Sequence, residues 1–144
     1  MIPFIVMVGT FILLYGAGLS GWSYMSDWHT PLQYAVAAML LIAASAHWGK
    51  RRPDLIRMVP AGLPRPGTIV TLTGLAEIAG ALLLLYPPTA YMASIGLALL
   101  LVAMFPANVR AARSHITLGG RAPTPLGLRT ALQFVFIAAI LLAG

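Results

Sequence analysis

A single acidic residue, Glu77, falls inside a long apolar stretch, residues 68–86. A carboxyl at that depth in hydrocarbon costs at least ~2.5 kcal/mol, so it needs a partner, water or a ligand. One helical turn to either side brings Thr73, Gly74, Gly80 and Ala81 onto its face. That face is small and slightly polar, suited to a neighbouring helix or a bound molecule rather than to lipid. Glu77 can therefore be a proton carrier or ligand anchor, or a carboxyl that ties two helices together. The residues alone weigh these two roles evenly.

Four further polar groups accompany it. His47 ends the apolar stretch 31–48, with Ala43 and Ala44 leaving room on its face. Its ordinary titration range suits proton exchange with water, and the competing role is an interfacial anchor beside Trp48. Asn108 follows Phe105-Pro106 and reads as a helix cap. Gln133 stands one turn from Arg129 at i, i+4 spacing. Arg129 can snorkel to the interface or turn inward to a carboxylate, and it is the expected charge partner of Glu77. Rise per residue puts His47 roughly 10 Å nearer the membrane surface than Glu77, so those two are expected to need a bridge. His47, Glu77, Asn108, Arg129 and Gln133 all fall at mid-depth or in one half of a bilayer. The other half offers little beyond Gln33, Tyr34 and Ser94. This asymmetry is the strongest sequence pointer to a site.

Several chemistries find no residues here. The chain has no cysteine, which excludes a disulfide framework, a thiolate nucleophile and a cysteine redox pair. Three separated histidines and one buried carboxylate are a poor metal-ligand set, so no metal is expected. No Gly-rich phosphate loop, catalytic triad or carboxylate pair is present. The net charge of +6 does not read as nucleic-acid binding, because the basic residues flank apolar stretches. Anionic lipid headgroups are the better match.

The elements that must position these groups are membrane spans. The 144 residues are 60% hydrophobic and 8% charged, far too few charges to clothe a soluble globule. Five apolar stretches, residues 2–20, 31–48, 68–86, 89–107 and 127–143, each approach the length that crosses a bilayer. Tyr86-Pro87-Pro88 forces a sharp reversal between the third and fourth, which makes them antiparallel neighbours. Pro53 to Pro60 brackets an amphipathic turn expected to lie along the interface with Arg57 toward headgroups. Threading the five spans puts all nine Lys and Arg on one side and leaves Asp27 and His29 on the other. Basic residues resist translocation, so the N-terminus is expected in the cytoplasm and the C-terminus outside the cell membrane. Only Met1 and Ile2 precede Pro3, so the first span lacks the basic leader of a signal peptide and reads as a retained helix. The expected fold is all-α: residues 1–144 form a single polytopic membrane helix bundle, packed through Gly9, Gly16, Gly74, Gly80 and the alanines of the second span.

The pieces Ala44-Ser45-Ala46-His47-Trp48, Met58-Val59-Pro60-Ala61-Gly62-Leu63-Pro64 and Thr73-Gly74-Leu75-Ala76-Glu77-Ile78-Ala79-Gly80 occur in that order. Phe105-Pro106-Ala107-Asn108-Val109 and Leu128-Arg129 with Gln133-Phe134 follow. Together they resemble the DoxX-like family of small bacterial membrane proteins over about residues 40–140. The resemblance implies a four-helix core from spans two to five, with one extra N-terminal transmembrane helix. It maps the family's polar positions onto His47, Glu77, Asn108, Arg129 and Gln133. Trp48 stands where the family usually has Phe, and the missing cysteines argue against a thiol relay. Members resemble a quinone-oxidoreductase subunit or are grouped with redox proteins. The leading expectation is a quinone or other lipid-like molecule bound between the helices, no covalent cofactor, and a separate redox partner protein. Membrane lipid and a second copy of the chain are the other expected partners. Two rivals stand beside it: a non-catalytic structural subunit, and an enzyme on a lipophilic substrate in which Glu77 moves a proton.

Overall fold

A computed structural model describes residues 1–117, 119–122 and 124–144. Six helices follow one another: α1 Ile2–Leu19, α2 His29–Ser45, α3 Arg52–Met58, α4 Pro66–Leu84, α5 Pro87–Arg113 and α6 Leu126–Ala143. Prolines occupy the first turn of α1, α3, α4 and α5, where the missing N–H costs no helical bond. Asp27 starts α2 by accepting hydrogen bonds from the Thr30 amide at 2.8 Å and the Thr30 hydroxyl at 3.2 Å.

Helices α2, α4, α5 and α6 form a closed ring of neighbours, each packed on the next, and α1 lies against α2 outside that ring. The arrangement matches the expected four-helix core with an added first helix. The core runs through Val36, Leu40, Leu84, Leu97 and Ile140. Small residues allow the close approaches that stabilise helices in lipid. A Cβ on Gly74 would stand 2.7 Å from the His47 Cβ, and one on Gly80 would collide with Leu97. In α1 the expectation fails. Gly9 and Gly16 face open space, and the close approach is instead made by Gly18 against the Met25 carbonyl.

Four helices, α1, α4, α5 and α6, are long and apolar enough to cross a membrane. The protein is a small polytopic membrane protein of all-α architecture. The 17-residue α2 is slightly shorter than these four, rising about 25 Å. It ends at Ser45 rather than at residue 48, because the Ala46 and His47 amides turn back onto Ala43 and Ala44 at 3.1 and 2.9 Å. Helix α5 departs the other way. It runs through Pro106 to Arg113, so Asn108 lies inside a helix and caps nothing. An internal proline forfeits one bond and bends the helix without ending it, and Arg110 and Arg113 complement the dipole of the last turn.

The interfacial segment is a short helix, α3, with Met58 and Asp54 turned inward and Arg57 outward. It packs on α4 and α5. Asp54 pairs with Arg57 and accepts a 2.8 Å hydrogen bond from the Gly119 amide, joining the two basic loops. At the opposite end Gln33 Nε2 donates to the Ala143 carbonyl at 2.9 Å and ties α2 to α6.

Candidate functional site

The five polar residues come from four separate parts of the chain and converge. His47 sits in the turn after α2, Glu77 midway along α4, Asn108 in the last third of α5, and Arg129 and Gln133 in the first half of α6. All five line one cavity of about 310 Å³, the size range of small-molecule sites. Its apolar walls are Met39, Leu40, Met104, Leu132 and Phe136, while Arg51, Leu55, Met58 and Thr124 stand around the end nearest the basic loops.

Glu77 is 5% exposed and His47 4%. The His47 Nδ1 stands 3.8 Å from Glu77 Oε2, close enough for charge attraction but too long for a hydrogen bond. The same nitrogen lies 3.2 Å from the Ala44 carbonyl. Glu77 Oε2 consequently has no hydrogen-bond partner among the described residues. A buried carboxyl oxygen without a partner loses its solvation uncompensated. Glu77 is among the residues that line the cavity.

Two expectations are corrected here. His47 Nδ1 comes within 3.8 Å of Glu77 Oε2, far closer than a depth difference of roughly 10 Å counted along the helices would place it. Gly74 lies one turn before Glu77, and its missing side chain admits the His47 Cβ and Cγ against α4. The imidazole then covers the remaining distance along the helix. Arg129, for its part, does not turn to Glu77. Its Nη1 donates to Asn108 Oδ1 at 3.1 Å and its Nε to the Thr124 carbonyl at 3.1 Å. Ring order explains the choice, since α6 borders α5 but lies diagonally across from α4, which borders α2. Gln133 also turns to α5, with its Nε2 donating to the Leu101 carbonyl at 2.6 Å. That carbonyl is close to the break Pro106 makes in the α5 ladder.

Sequence reasoning missed Arg52. Its guanidinium donates to the His47 carbonyl at 2.7 Å, the Gly67 carbonyl at 3.0 Å and Thr71 Oγ1 at 2.9 Å. It clamps the His47 turn to the first turns of α4. In sequence, the run Lys50-Arg51-Arg52 carries a topology signal, and nothing in it marks Arg52 as a clamp. Arg51, at the cavity mouth, was passed over for the same reason.

Residues 36–143 match the model of a domain of unknown function, DUF8561. The chain belongs to this family. The matched stretch contains all five polar residues and leaves α1 outside. The DoxX-like resemblance has no counterpart in that match. No curated protein and no solved structure matches the chain.

Proposed function

We propose that this membrane protein holds a quinone or a similar lipophile in the cavity among α2, α4, α5 and α6, as part of a redox assembly whose electron carrier is a separate protein. The reading is carried by Glu77, a buried carboxyl with one oxygen unpartnered among the described residues, in the lining of a pocket that combines an apolar wall with His47, Asn108, Arg129 and Gln133. A quinone head needs a flat apolar slot and hydrogen-bonding groups at its rim. Met39, Leu40, Met104, Leu132 and Phe136 offer the slot. Glu77 with His47 can exchange a proton at one edge, and Arg129 with Asn108 can donate at another. The DoxX-like pattern of the same five residues supports a redox setting.

The proposal includes a topology. Helix α2 is the fifth span, ensheathed by α1, α4 and α6, so little of its 17 residues must meet lipid. The basic loops then face the cytoplasm and the C-terminus faces out.

Organic extraction of the purified protein, followed by identification of any quinone, tests the reading. Titration with a short-chain quinone follows. Glu77→Gln is expected to keep the fold and weaken binding on the order of tenfold, the effect of one lost charge-assisted hydrogen bond. Absence of any co-extracted or titratable lipophile would favour the rival, a structural subunit. That rival has its own support: the bonds Arg129 to Asn108 and Gln133 to Leu101 both join α6 to α5.

A further inference from the structure

A second cleft, of about 290 Å³, opens between the start of α1 and the end of α2. Its walls are Ile2, Ile42 and Ala46, and its rim carries Lys50 and Arg51. We propose that it seats the phosphate of an anionic phospholipid drawn from the leaflet at the basic end. Arg52 is committed to His47, Gly67 and Thr71, and Arg57 is committed to Asp54. Lys50 and Arg51 have no hydrogen bond or ion pair from their side chains among the described residues. No carboxylate lines the cleft, so among the described residues two adjacent cations stand unpaired at its rim.

Shape decides which anion. Ile2 and Ile42 are exposed large apolar residues, and the surface continues through Ile5 on α1 and Leu41 on α2, also exposed. A headgroup at Lys50 and Arg51 thus has an apolar track for its acyl chains directly below it. A free phosphate would leave that track to other lipids and gain nothing from it. A zwitterionic lipid would bring its own cation toward Lys50 and Arg51. The anionic diacyl lipid satisfies both the rim and the track, and each cation near the surface adds attraction. Ile42, Ala46 and Arg51 line both this cleft and the larger cavity, so the lipid would form part of the cavity's outer wall. The inference rests on the membrane-spanning reading and is independent of what the larger cavity binds.

The test uses the full chain in phosphatidylcholine nanodiscs doped with phosphatidylglycerol, followed by detergent exchange and quantification of retained phosphatidylglycerol. Lys50→Ala with Arg51→Ala is expected to reduce retention on the order of tenfold, given two cations at the headgroup. The pair Lys50→Arg with Arg51→Lys, which preserves both charges, is expected to retain the lipid. Arg110→Ala with Arg113→Ala, at the same end but outside the cleft, is expected to leave retention unchanged. Equal losses from both alanine pairs would overturn the site in favour of general attraction. Stabilisation of the thermal midpoint by glycerol phosphate alone, abolished by the Lys50 and Arg51 alanine pair, would overturn the lipid and leave a phosphate site.

Discussion

His47 rests on Gly74, and that contact lets its imidazole stand 3.8 Å from Glu77. Two helices meet here through a backbone with no side chain, and a titratable pair results. Depth counted along each helix separately hides the pairing, because it treats a side chain as a point at the height of its Cα. The real imidazole projects along α4 by nearly the turn that separates Gly74 from Glu77.

Gly74→Ala therefore tests the site through its packing. The added methyl would sit 2.7 Å from His47 Cβ and 2.8 Å from the Trp48 ring. One of them must move, at a cost of about 1–3 kcal/mol. A lower thermal midpoint in detergent is expected, together with weakened lipophile binding as His47 withdraws from Glu77. An unchanged midpoint would mean that α2 and α4 are not held at this separation.

Arg52→Ala is expected to destabilise the bundle more than any other single change among the basic loop residues. Three bonds from one guanidinium fasten the His47 carbonyl to Gly67 and Thr71, and a charged donor contributes about 1.5–3 kcal/mol per bond. They share one partly buried side chain, so the total should be nearer one such bond than three. Arg52→Lys is expected to recover little, since an ammonium cannot present the planar fork that reaches both sides. Equal midpoints for Arg52→Ala and Arg65→Ala would refute the clamp.

Much of this architecture was legible beforehand, for identifiable reasons. Prolines 87 and 88 and the hydropathy of each span locate α4, α6 and the start of α5 within about two residues. Gly74 and Gly80 flanking Glu77 correctly marked a face turned to other helices. Convergence of the five polar residues followed from the cost of burying them in hydrocarbon, which is a general term and needs no coordinates. What failed was specific to helix order and local turns. The partner of Arg129 depends on α6 neighbouring α5 rather than α4. Helix α5 runs on through Pro106, yet the signal for a helix stop is identical in sequence. Gly9 and Gly16 resembled a packing stripe, yet α1 turns them away from every neighbour.

Asp54 makes the junction of the two basic loops dependent on pH. The Gly119 amide, and after it Arg57, hold its carboxyl below the ordinary value of 3.8. A depressed folded value means that its stabilisation is complete above the ordinary value and is lost as pH falls through the depressed one. Thermal midpoints measured on acidification below 3.8 are expected to drop for the parent chain. Asp54→Asn should flatten part of that drop. Asp27, lowered chiefly by the Thr30 amide at the other end of the bundle, accounts for a share that remains. An acid-side slope identical in parent and Asp54→Asn would show that the loop junction does not titrate.

Topology provides the most direct test of the membrane reading, because the chain contains no cysteine to remove. Asp27→Cys lies in the turn region between α1 and α2, and Arg121→Cys in the segment between α5 and α6. The helices run so that these positions fall at opposite ends if α2 crosses the bilayer. The nine Lys and Arg cluster at the Arg121 end, and basic loops stay inside. A membrane-impermeant thiol reagent added to intact cells should label position 27 and spare position 121 until the membrane is opened. Labelling of 121 alone would invert the orientation and put the cavity mouth outside. Labelling of both, or of neither, before opening would mean that α2 does not cross. The 17-residue α2, itself a member of the ring, would then have to be sheltered by α1, α4 and α6 without spanning.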